Sequence, residues 1–160
     1  MNYLYTVRIA NWQTDKQALS DIRRKVFINE QNVPEDLEWD EFDSTAHHIL
    51  AVDNNNNPIG TGRIKPDGQI GRMAVLKQWR NKGIGKVILD ELLKIATRSN
   101  YPSTYLHAQL TAIKFYEKSG FLINSDEFMD AGIPHKTMIR IYQSKPITPN
   151  DANSYKDVGY

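Results

Sequence analysis

The stretch Arg72–Leu93, RMAVLKQWRNKGIGKVILDELL, decides how the rest of this sequence is interpreted. It begins inside an apolar run that ends at Leu76 and is typical of a buried β-strand. From Gly83 to about Ser99, apolar side chains recur at helical spacing. Between them lies RNKGIG, residues 80–85, with two glycines and two basic residues just ahead of the helix. The stretch therefore predicts a strand, a glycine turn and a helix in succession.

The glycine turn is suited to an anion, because the first amide N–H groups of a helix lack acceptors within the helix. Gly83 and Gly85 let the backbone approach a ligand closely, and Arg80, Lys82 and Lys86 add mobile positive charge. Two adjoining phosphates suit successive amides better than a single carboxylate does. We therefore predict a diphosphate-binding turn.

Two familiar phosphate-binding motifs are not satisfied at this turn. A P-loop requires Ser or Thr after its lysine, whereas Val87 follows Lys86. The dinucleotide fingerprint requires a third glycine where this chain has Ile88, and no acidic residue ends the strand near His107. The turn must serve a different phosphate ligand.

The N-terminal segment predicts a strand followed by a long helix. Tyr3–Ala10 alternates and carries β-branched and aromatic residues, which favours a strand. Thr14 and Gln17 have the spacing of a capping box, ahead of a helix expected from about Asp15 to about Gln31.

The remaining segments complete a mixed sheet. HHILAV and PIGTGRIK predict a hairpin joined by the turn DNNNNP, and STYLHAQ predicts a strand before a short helix, AIKFYEKSG, closed by Gly120. Further strands are expected within FLINSDEFMD and HKTMIRIY. The fold class is therefore α/β (α+β mixed), with a central sheet of about six or seven strands. The polar tail at 143–160 is predicted to be disordered.

The composition of the chain argues against several classes of function: nucleic-acid binding, membrane binding and metal binding. Its 160 residues suit one domain, and its net charge of +1 gives no field to recruit nucleic acid or membrane. Cysteine is absent and the four histidines show neither HxH nor HExxH spacing, so we expect no metal. Without a signal peptide or apolar span, we expect a soluble cytoplasmic protein.

Two signatures give this sequence a family resemblance. Arg72–Leu93 resembles the acetyl-CoA-binding signature RxxGxG of the Gcn5-related N-acetyltransferase (GNAT) family. QLTAIKFYEKSGF, at Gln109–Phe121, resembles the family's NxxAxxxYxxxGF with Gln in place of Asn. VFINEQNVP, DEFD, HHIL, LHAQ and EFMDAGIPHKTM are similar to the ElaA-type subgroup. The resemblance implies one GNAT-type domain over residues 1–142, largely antiparallel, splayed between its fourth and fifth strands and flanked by helices.

The resemblance also implies where acetyl-CoA binds. The pyrophosphate would lie on the turn, and the pantetheine arm would pair with the preceding strand. For this arm to enter, Arg72–Val75 must separate from Tyr105–His107, and Gly71 could supply a bulge. An N–H group in the splay would polarise the thioester carbonyl. The expected coenzyme contacts are Met73, Ala74, Val75, Arg80, Asn81, Lys82, Gly83, Ile84, Gly85, Lys86, Gln109 and Tyr116.

Tyr116 lies where the family has its general acid. A tyrosine keeps its proton at neutral pH, because its pKa is near 10, and a leaving thiolate with a pKa of about 8.5 can accept that proton. A core tyrosine beside Phe115 is the alternative interpretation.

The general base is left open by the sequence. His107 lies on the strand that borders the coenzyme, and Glu30 lies at the end of the first helix. His47 and His48 are alternatives, of which only one can face the site because neighbouring strand residues point to opposite faces. His135, at the start of a later strand, is equally ambiguous.

The acidic segment Glu35–Asp43 lies where this family places its acceptor-binding loop. Its carboxylates would favour a cationic amine, although a solvated acidic loop explains them equally well. We expect direct acetyl transfer to a primary amine, either a small cationic amine or a lysine side chain. An acyl-CoA-binding sensor or interaction module is the alternative function. The oligomeric state is open, with a homodimer as one option.

Overall fold

A computed structural model describes residues 4–142, so the tail predicted at 143–160 lies outside the described residues. The strands are β1 (Tyr5–Ala10), β2 (His47–Asp53), β3 (Pro58–Ile64), β4 (Ile70–Val75), β5 (Ser103–Gln109), β6 (Leu122–Ile123), β7 (Phe128–Asp130) and β8 (Ile133–Ile141). The helices are α1 (Trp12–Arg23), α2 (Glu35–Glu38), α3 (Ile84–Arg98) and α4 (Ile113–Glu117). One antiparallel sheet has the order β1-β2-β3-β4, and the other has the order β5-β8-β6 with β7 also paired to β8.

Helix α1 begins earlier than the sequence predicts. Its N-cap is Asn11, whose side-chain oxygen accepts two first-turn N–H groups at 2.9 and 3.2 Å. The Asp15 carboxylate accepts the Asn11 amide at 2.8 Å, so the capping box predicted at Thr14 and Gln17 is wrong. After α1 the chain continues as a π-helical segment, Arg24–Glu30, which ends close to the predicted boundary.

The predicted hairpin β2-β3 is confirmed. In its turn the Asp53 carboxylate accepts the amides of Asn55 and Asn57 at 2.8 and 2.9 Å. Asn56 takes a left-handed φ of 60°, a conformation that asparagine tolerates better than most residues. The asparagine run therefore makes the turn for local reasons.

Helix α3 confirms the predicted helical periodicity. Its inner face packs on the first sheet, where Ile88, Leu89, Leu92 and Ala96 are completely buried. Burial of this apolar stripe is the main stabilising contribution that the helix makes. It also fixes the start of α3 next to the end of β4.

Strands β4 and β5 are splayed, as predicted. A single bridge joins Gln69, the residue just before β4, to Tyr105 of β5. Beyond this bridge, the described residues form no ladder between the two strands. The bulge lies in β4, but its left-handed residue is Arg72, with a φ of 51°, rather than the predicted Gly71. A left-handed arginine is strained, so contacts of its side chain must hold it in place.

The second sheet has more strands than expected. One strand was predicted within FLINSDEFMD, but two short strands, β6 and β7, form there. Leu122 of β6 pairs with Ile139, whereas Phe128 of β7 pairs with His135, so both strands use different parts of β8. The described residues therefore contain eight strands instead of about six or seven.

Candidate active site

The splay between β4 and β5 opens into a cavity of about 230 Å³. Its wall comes from the end of the π-helical segment, from α2, β4, β5 and α4, and from the β7–β8 turn. The polar side chains on this wall are Gln31, Glu38, Gln69, Arg72, His107, Gln109, Tyr116, Asp130 and His135. The fold brings them together from six separate parts of the chain, so no single motif reveals the whole site.

The turn before α3 has the open backbone that the sequence predicts. Gly83 is the N-cap of α3 with a left-handed φ of 82°, and no described side chain caps this helix end. Asn81 is also left-handed, with a φ of 62°. A Cβ added at Gly83 would have no atom within 4 Å, so the residue faces open space. The amides at the start of α3 can therefore donate to a phosphate group.

Arg80 links this turn to two other elements. Its Nε donates to the Val75 carbonyl at 2.9 Å, and its two terminal nitrogens donate to both oxygens of Glu30 at 2.6 and 2.8 Å. The hydrogen bonds from Arg80 lower the pKa of Glu30, which makes that carboxylate a weaker base. Glu30 also lies outside the cavity wall formed by the described residues. The geometry thus favours Glu30 as an ion-pair partner of Arg80 over a role as the base.

The lysines around the turn also have protein contacts. Lys86 pairs with Asp90 at 2.8 Å, and Lys82 donates to the Gln78 carbonyl at 2.9 Å while lying over the Trp79 ring. The positively charged side chains of Lys82 and Lys86, which the sequence predicts to be mobile, are thus partly fixed by contacts within the protein. Solvent-exposed pairs such as Lys86–Asp90 are weak and can exchange for a ligand.

Residues Met73, Ala74 and Val75 form an open edge of β4. Strand β3 pairs with Ala74 and Val75 on one side, and no described strand pairs with them on the other. Ala74 is buried in the core, while Met73 lines the cavity. An extended ligand can therefore add to this edge through backbone hydrogen bonds.

Helix α4 holds Tyr116 at the cavity. The residue is 8% exposed, and its ring lies edge-on to Phe115 and Phe121 at centroid distances of 5.0 and 6.0 Å. Burial raises the pKa of the hydroxyl, so it keeps its proton at neutral pH. Within residues 4–142 no group hydrogen-bonds this hydroxyl, which leaves it able to donate to a ligand. Tyr116 is therefore both a core residue and a cavity residue.

Gln109, which replaces the asparagine of the family signature, is held by the protein. Its side-chain amide donates to the side-chain oxygen of Gln31 at 2.9 Å. Both side chains line the cavity, so this bond joins the end of the π-helical segment to the end of β5. The second N–H and the side-chain oxygen of Gln109 stay available for a coenzyme contact.

Two of the four histidines line the cavity. The His107 ring lies edge-on to Phe128 at 5.1 Å, and Phe128 stacks on the His135 ring at 5.9 Å. Burial lowers the pKa of His107, while the charge of Asp130 opposes that change. Both imidazoles are thus placed to meet a substrate.

The other two histidines lie away from the cavity. His48 is 2% exposed, stacks on Trp12 at 4.9 Å, and has its Nε2 2.8 Å from the Asp43 carbonyl oxygen. His47 is exposed at the start of β2. Neither belongs to the cavity wall of the described residues, so the structure does not support either as the base.

The acidic segment Glu35–Asp43 is divided between the interior and the surface, with Glu38, Asp40 and Asp43 turned inward and Glu35, Asp36 and Glu41 exposed. Three of its carboxylates meet three arginines from α1, β3 and β4 at 2.6–3.2 Å. We refer to this group as the arginine–carboxylate cluster, which comprises Arg23, Arg63, Arg72, Glu38, Asp40 and Asp43. Because the arginines already neutralise them, Glu38 and Asp40 do not form the cation-attracting surface that the sequence suggested.

The cluster changes the ionisation of its members. Partial burial disfavours the charge on Asp40, but Arg63 and Arg72 more than offset this and lower its pKa to about 2. Burial raises the pKa of Glu38 against the charges of Arg72 and Arg23. Glu38 and Arg72 also line the cavity, so the cluster supports that part of the wall. These contacts also explain how Arg72 is held in its left-handed conformation.

Neither a metal centre nor a membrane span emerges from the described residues. Within 4–142, no three His, Asp or Glu side chains are placed to hold a metal ion. No helix in this range is long and apolar enough to cross a membrane.

Sequence comparisons identify the family of the chain. A profile described as an acetyltransferase (GNAT) domain matches residues 12–141. The chain is 42% identical over 134 residues to the uncharacterized protein YyaT of Bacillus subtilis (strain 168), covering 80% of this chain and 90% of that protein. It is 30% identical over 131 residues to protein ElaA of Escherichia coli (strain K12), covering 77% of this chain and 85% of ElaA.

Solved structures share the fold. The crystal structure of Escherichia coli ElaA has a TM-score of 0.75 at 27% identity, over 84% of this chain and 99% of that one. A GNAT family acetyltransferase from Elizabethkingia anophelis with acetyl-CoA bound has a TM-score of 0.65 at 16% identity, over 89% and 100%. Because the profile spans most of the chain and the relatives match over most of their length, this chain belongs to the GNAT acetyltransferase family and is ElaA-like.

Proposed function

We propose that this acetyltransferase moves the acetyl group of acetyl-CoA directly to a primary amine. The observation that carries the proposal is the cavity in the splay, which is lined both by Tyr116 of α4 and by Met73 of the open edge of β4. Acetyl-CoA supplies the acetyl group already activated as a thioester. The chain supplies the binding surface, the orientation and the proton transfers.

The residues present fit a coenzyme with a pyrophosphate. The uncapped start of α3 offers amide donors at residues 84–86, and left-handed Gly83 keeps the approach clear of side chains. In the proposal, Arg80, Asn81, Lys82 and the residues from Gly83 to Lys86 hold the pyrophosphate. The open edge at 73–75 holds the extended arm, and Gln109 contacts it through the amide groups that Gln31 does not use.

Tyr116 acts as the general acid in this proposal. Its buried hydroxyl stays protonated at neutral pH and can donate to the sulfur of the departing thiolate. The base that deprotonates the amine comes from the cavity histidines, His107 or His135, since Glu30 is held by Arg80 outside the wall. Because arginines neutralise Glu38, Asp40 and Asp43, these carboxylates give no reason to expect a strongly cationic acceptor. A small amine or a single lysine side chain suits a cavity of about 230 Å³.

A panel of amines tests the function. Release of free thiol from acetyl-CoA should accelerate with at least one small amine or lysine peptide. Tyr116→Phe should lower kcat about 10²–10⁴-fold because the variant has no hydroxyl to donate a proton. The Kd for acetyl-CoA should stay close to that of wild type because the aromatic ring is kept. Binding of acetyl-CoA without thiol release for any amine would instead favour an acyl-CoA-binding module.

A further inference from the structure

His135 has a fixed tautomer. Its Nδ1 lies 2.6 Å from the carbonyl oxygen of Ile133, two residues earlier in β8. A carbonyl oxygen only accepts hydrogen bonds, so Nδ1 must carry the proton. In the neutral ring the lone pair is then on Nε2, which is the nitrogen that can act as a base.

The surroundings of His135 suit a proton acceptor at a binding site. The residue is 8% exposed, its ring is stacked on Phe128 at an interplanar angle of 22°, and it lines the cavity. The titratable and charged side chains that face the same cavity from the other elements are Glu38 of α2, Arg72 of β4, His107 of β5, Tyr116 of α4 and Asp130 of β7. Glu38 and Arg72 already pair with each other, at 3.2 Å.

His107 is less well prepared for the same task. Its ring contacts are with Tyr105 and Phe128, and within residues 4–142 no hydrogen bond fixes which of its nitrogens is protonated. It is also more exposed than His135. When His135 accepts a proton, in contrast, the positive charge strengthens the existing Nδ1–H···O bond to Ile133.

We propose that Nε2 of His135 is the general base that deprotonates the acceptor amine, an inference that rests on the proposed function. One ammonium proton moves to Nε2 and then to solvent. The electron pair left on nitrogen forms the C–N bond to the acetyl carbon. The C–S bond breaks with its electron pair going to sulfur, which takes the proton of Tyr116. The remaining excess proton on nitrogen returns to Tyr116.

The variant His135→Asn tests this assignment. The side-chain amide of Asn can still donate to the Ile133 carbonyl but has no basic nitrogen. We expect kcat/KM for the amine to fall about 10²–10⁴-fold at pH 7. The rate of this variant should then rise about tenfold per pH unit until the amine itself titrates near pH 10, because only the free amine can react without a base. The wild-type rate should depend less steeply on pH. The control variant His47→Asn, at an exposed histidine outside the cavity wall of the described residues, should keep the wild-type rate and profile.

The outcomes separate this inference from the proposed function. If wild type releases no thiol with any amine, the proposed function fails. If wild type is active and His135→Asn keeps its rate and pH profile, the assignment of His135 is overturned. If His107→Asn instead shows the fall in kcat/KM and the steep pH dependence expected of His135→Asn, the role belongs to His107. Nitrogen-15 NMR of wild type should find His135 protonated on Nδ1, and a proton on Nε2 of the neutral ring would also overturn the assignment without any variant.

Discussion

The arginine–carboxylate cluster and the glycine turn before α3 both carry charge, but they use it in opposite ways. In the cluster, the side chains of Arg23, Glu38 and Asp43 are 1–4% exposed and all face partners of opposite charge. In the turn, Arg80 is 35% exposed and the start of the helix has no cap. The cluster satisfies most of its polar groups within the protein, with Nε of Arg63 left without a hydrogen-bond partner among the described residues. The turn instead keeps backbone donors for a ligand.

This difference shows why residue charge alone does not locate a binding site. Removing ions from water is costly, so buried charges must be matched inside the protein. The carboxylates of the acidic segment that meet Arg23, Arg63 and Arg72 are therefore structural. Amides at an uncapped helix start are polar groups that a ligand can still satisfy. Changes in the cluster should act on stability, and changes in the turn should act on coenzyme affinity.

The largest effect is expected from Arg23→Met. Methionine occupies similar space without the charge, so Glu38 and Asp43 remain buried with fewer partners. We expect the free energy of unfolding to fall by about 3–5 kcal/mol, measured by urea denaturation. The Kd for acetyl-CoA of the remaining folded protein should stay close to that of wild type.

Arg24→Met is the matched control, because Arg24 is the next residue and also forms an ion pair. Its pair with Glu35 is 45% and 59% exposed, and exposed pairs contribute little. Only a small loss of stability is expected. Equal losses for both variants would show that burial of the cluster is not what makes it important.

Gly85→Ala should separate affinity from stability in the turn. The added Cβ would lie 3.5 Å from Phe115 and 3.9 Å from Val75, which are ordinary contacts. Alanine also favours a helix over glycine, so the free energy of unfolding should rise by up to about 1 kcal/mol. The methyl group would lie where the pyrophosphate is expected, so calorimetry should find acetyl-CoA binding about tenfold weaker, or about 1.4 kcal/mol.

Gly83→Ala is the control for this prediction. Gly83 has open space around it, but its φ of 82° costs a residue with a side chain about 1–2 kcal/mol. The two glycines should therefore change the free energy of unfolding in opposite directions. Unchanged acetyl-CoA affinity in Gly85→Ala would contradict the placement of the pyrophosphate.

The sequence predicts the turn because the turn is built from neighbouring residues. Left-handed Gly83, the following amides and the apolar face of α3 all lie within one short stretch, and the helix carrying Tyr116 is local as well. The cluster depends instead on partners distant along the chain, such as Arg72 and Asp40, which are 32 residues apart. A signal was present, since Arg23 lies on the same helix face as Leu19 and Val26, where an arginine needs a buried partner.

The sequence placed the left-handed residue of the bulge wrongly and left the base open for a similar reason. Glycine is the usual residue at a left-handed position, so Gly71 was the natural prediction. Arg72 takes that conformation because α2 and its flanking loop hold its guanidinium. Likewise, strand alternation can place His107 and His135 on a face, but it cannot predict the hydrogen bond that selects the tautomer of His135.

The smallest effect is expected from Glu30→Gln. This variant measures how much the side chain of Arg80 contributes to coenzyme binding at the turn. The Arg80–Glu30 pair is 35% and 36% exposed, so its loss should lower the free energy of unfolding by less than about 1 kcal/mol. Acetyl-CoA should bind slightly more tightly at low ionic strength, because Arg80 no longer has to exchange a carboxylate for a phosphate. Since Glu30 lies outside the cavity wall, kcat should not change. A fall in kcat of about 10²-fold or more would restore Glu30 as the base, and weaker acetyl-CoA binding would show that Glu30 holds Arg80 in its binding position.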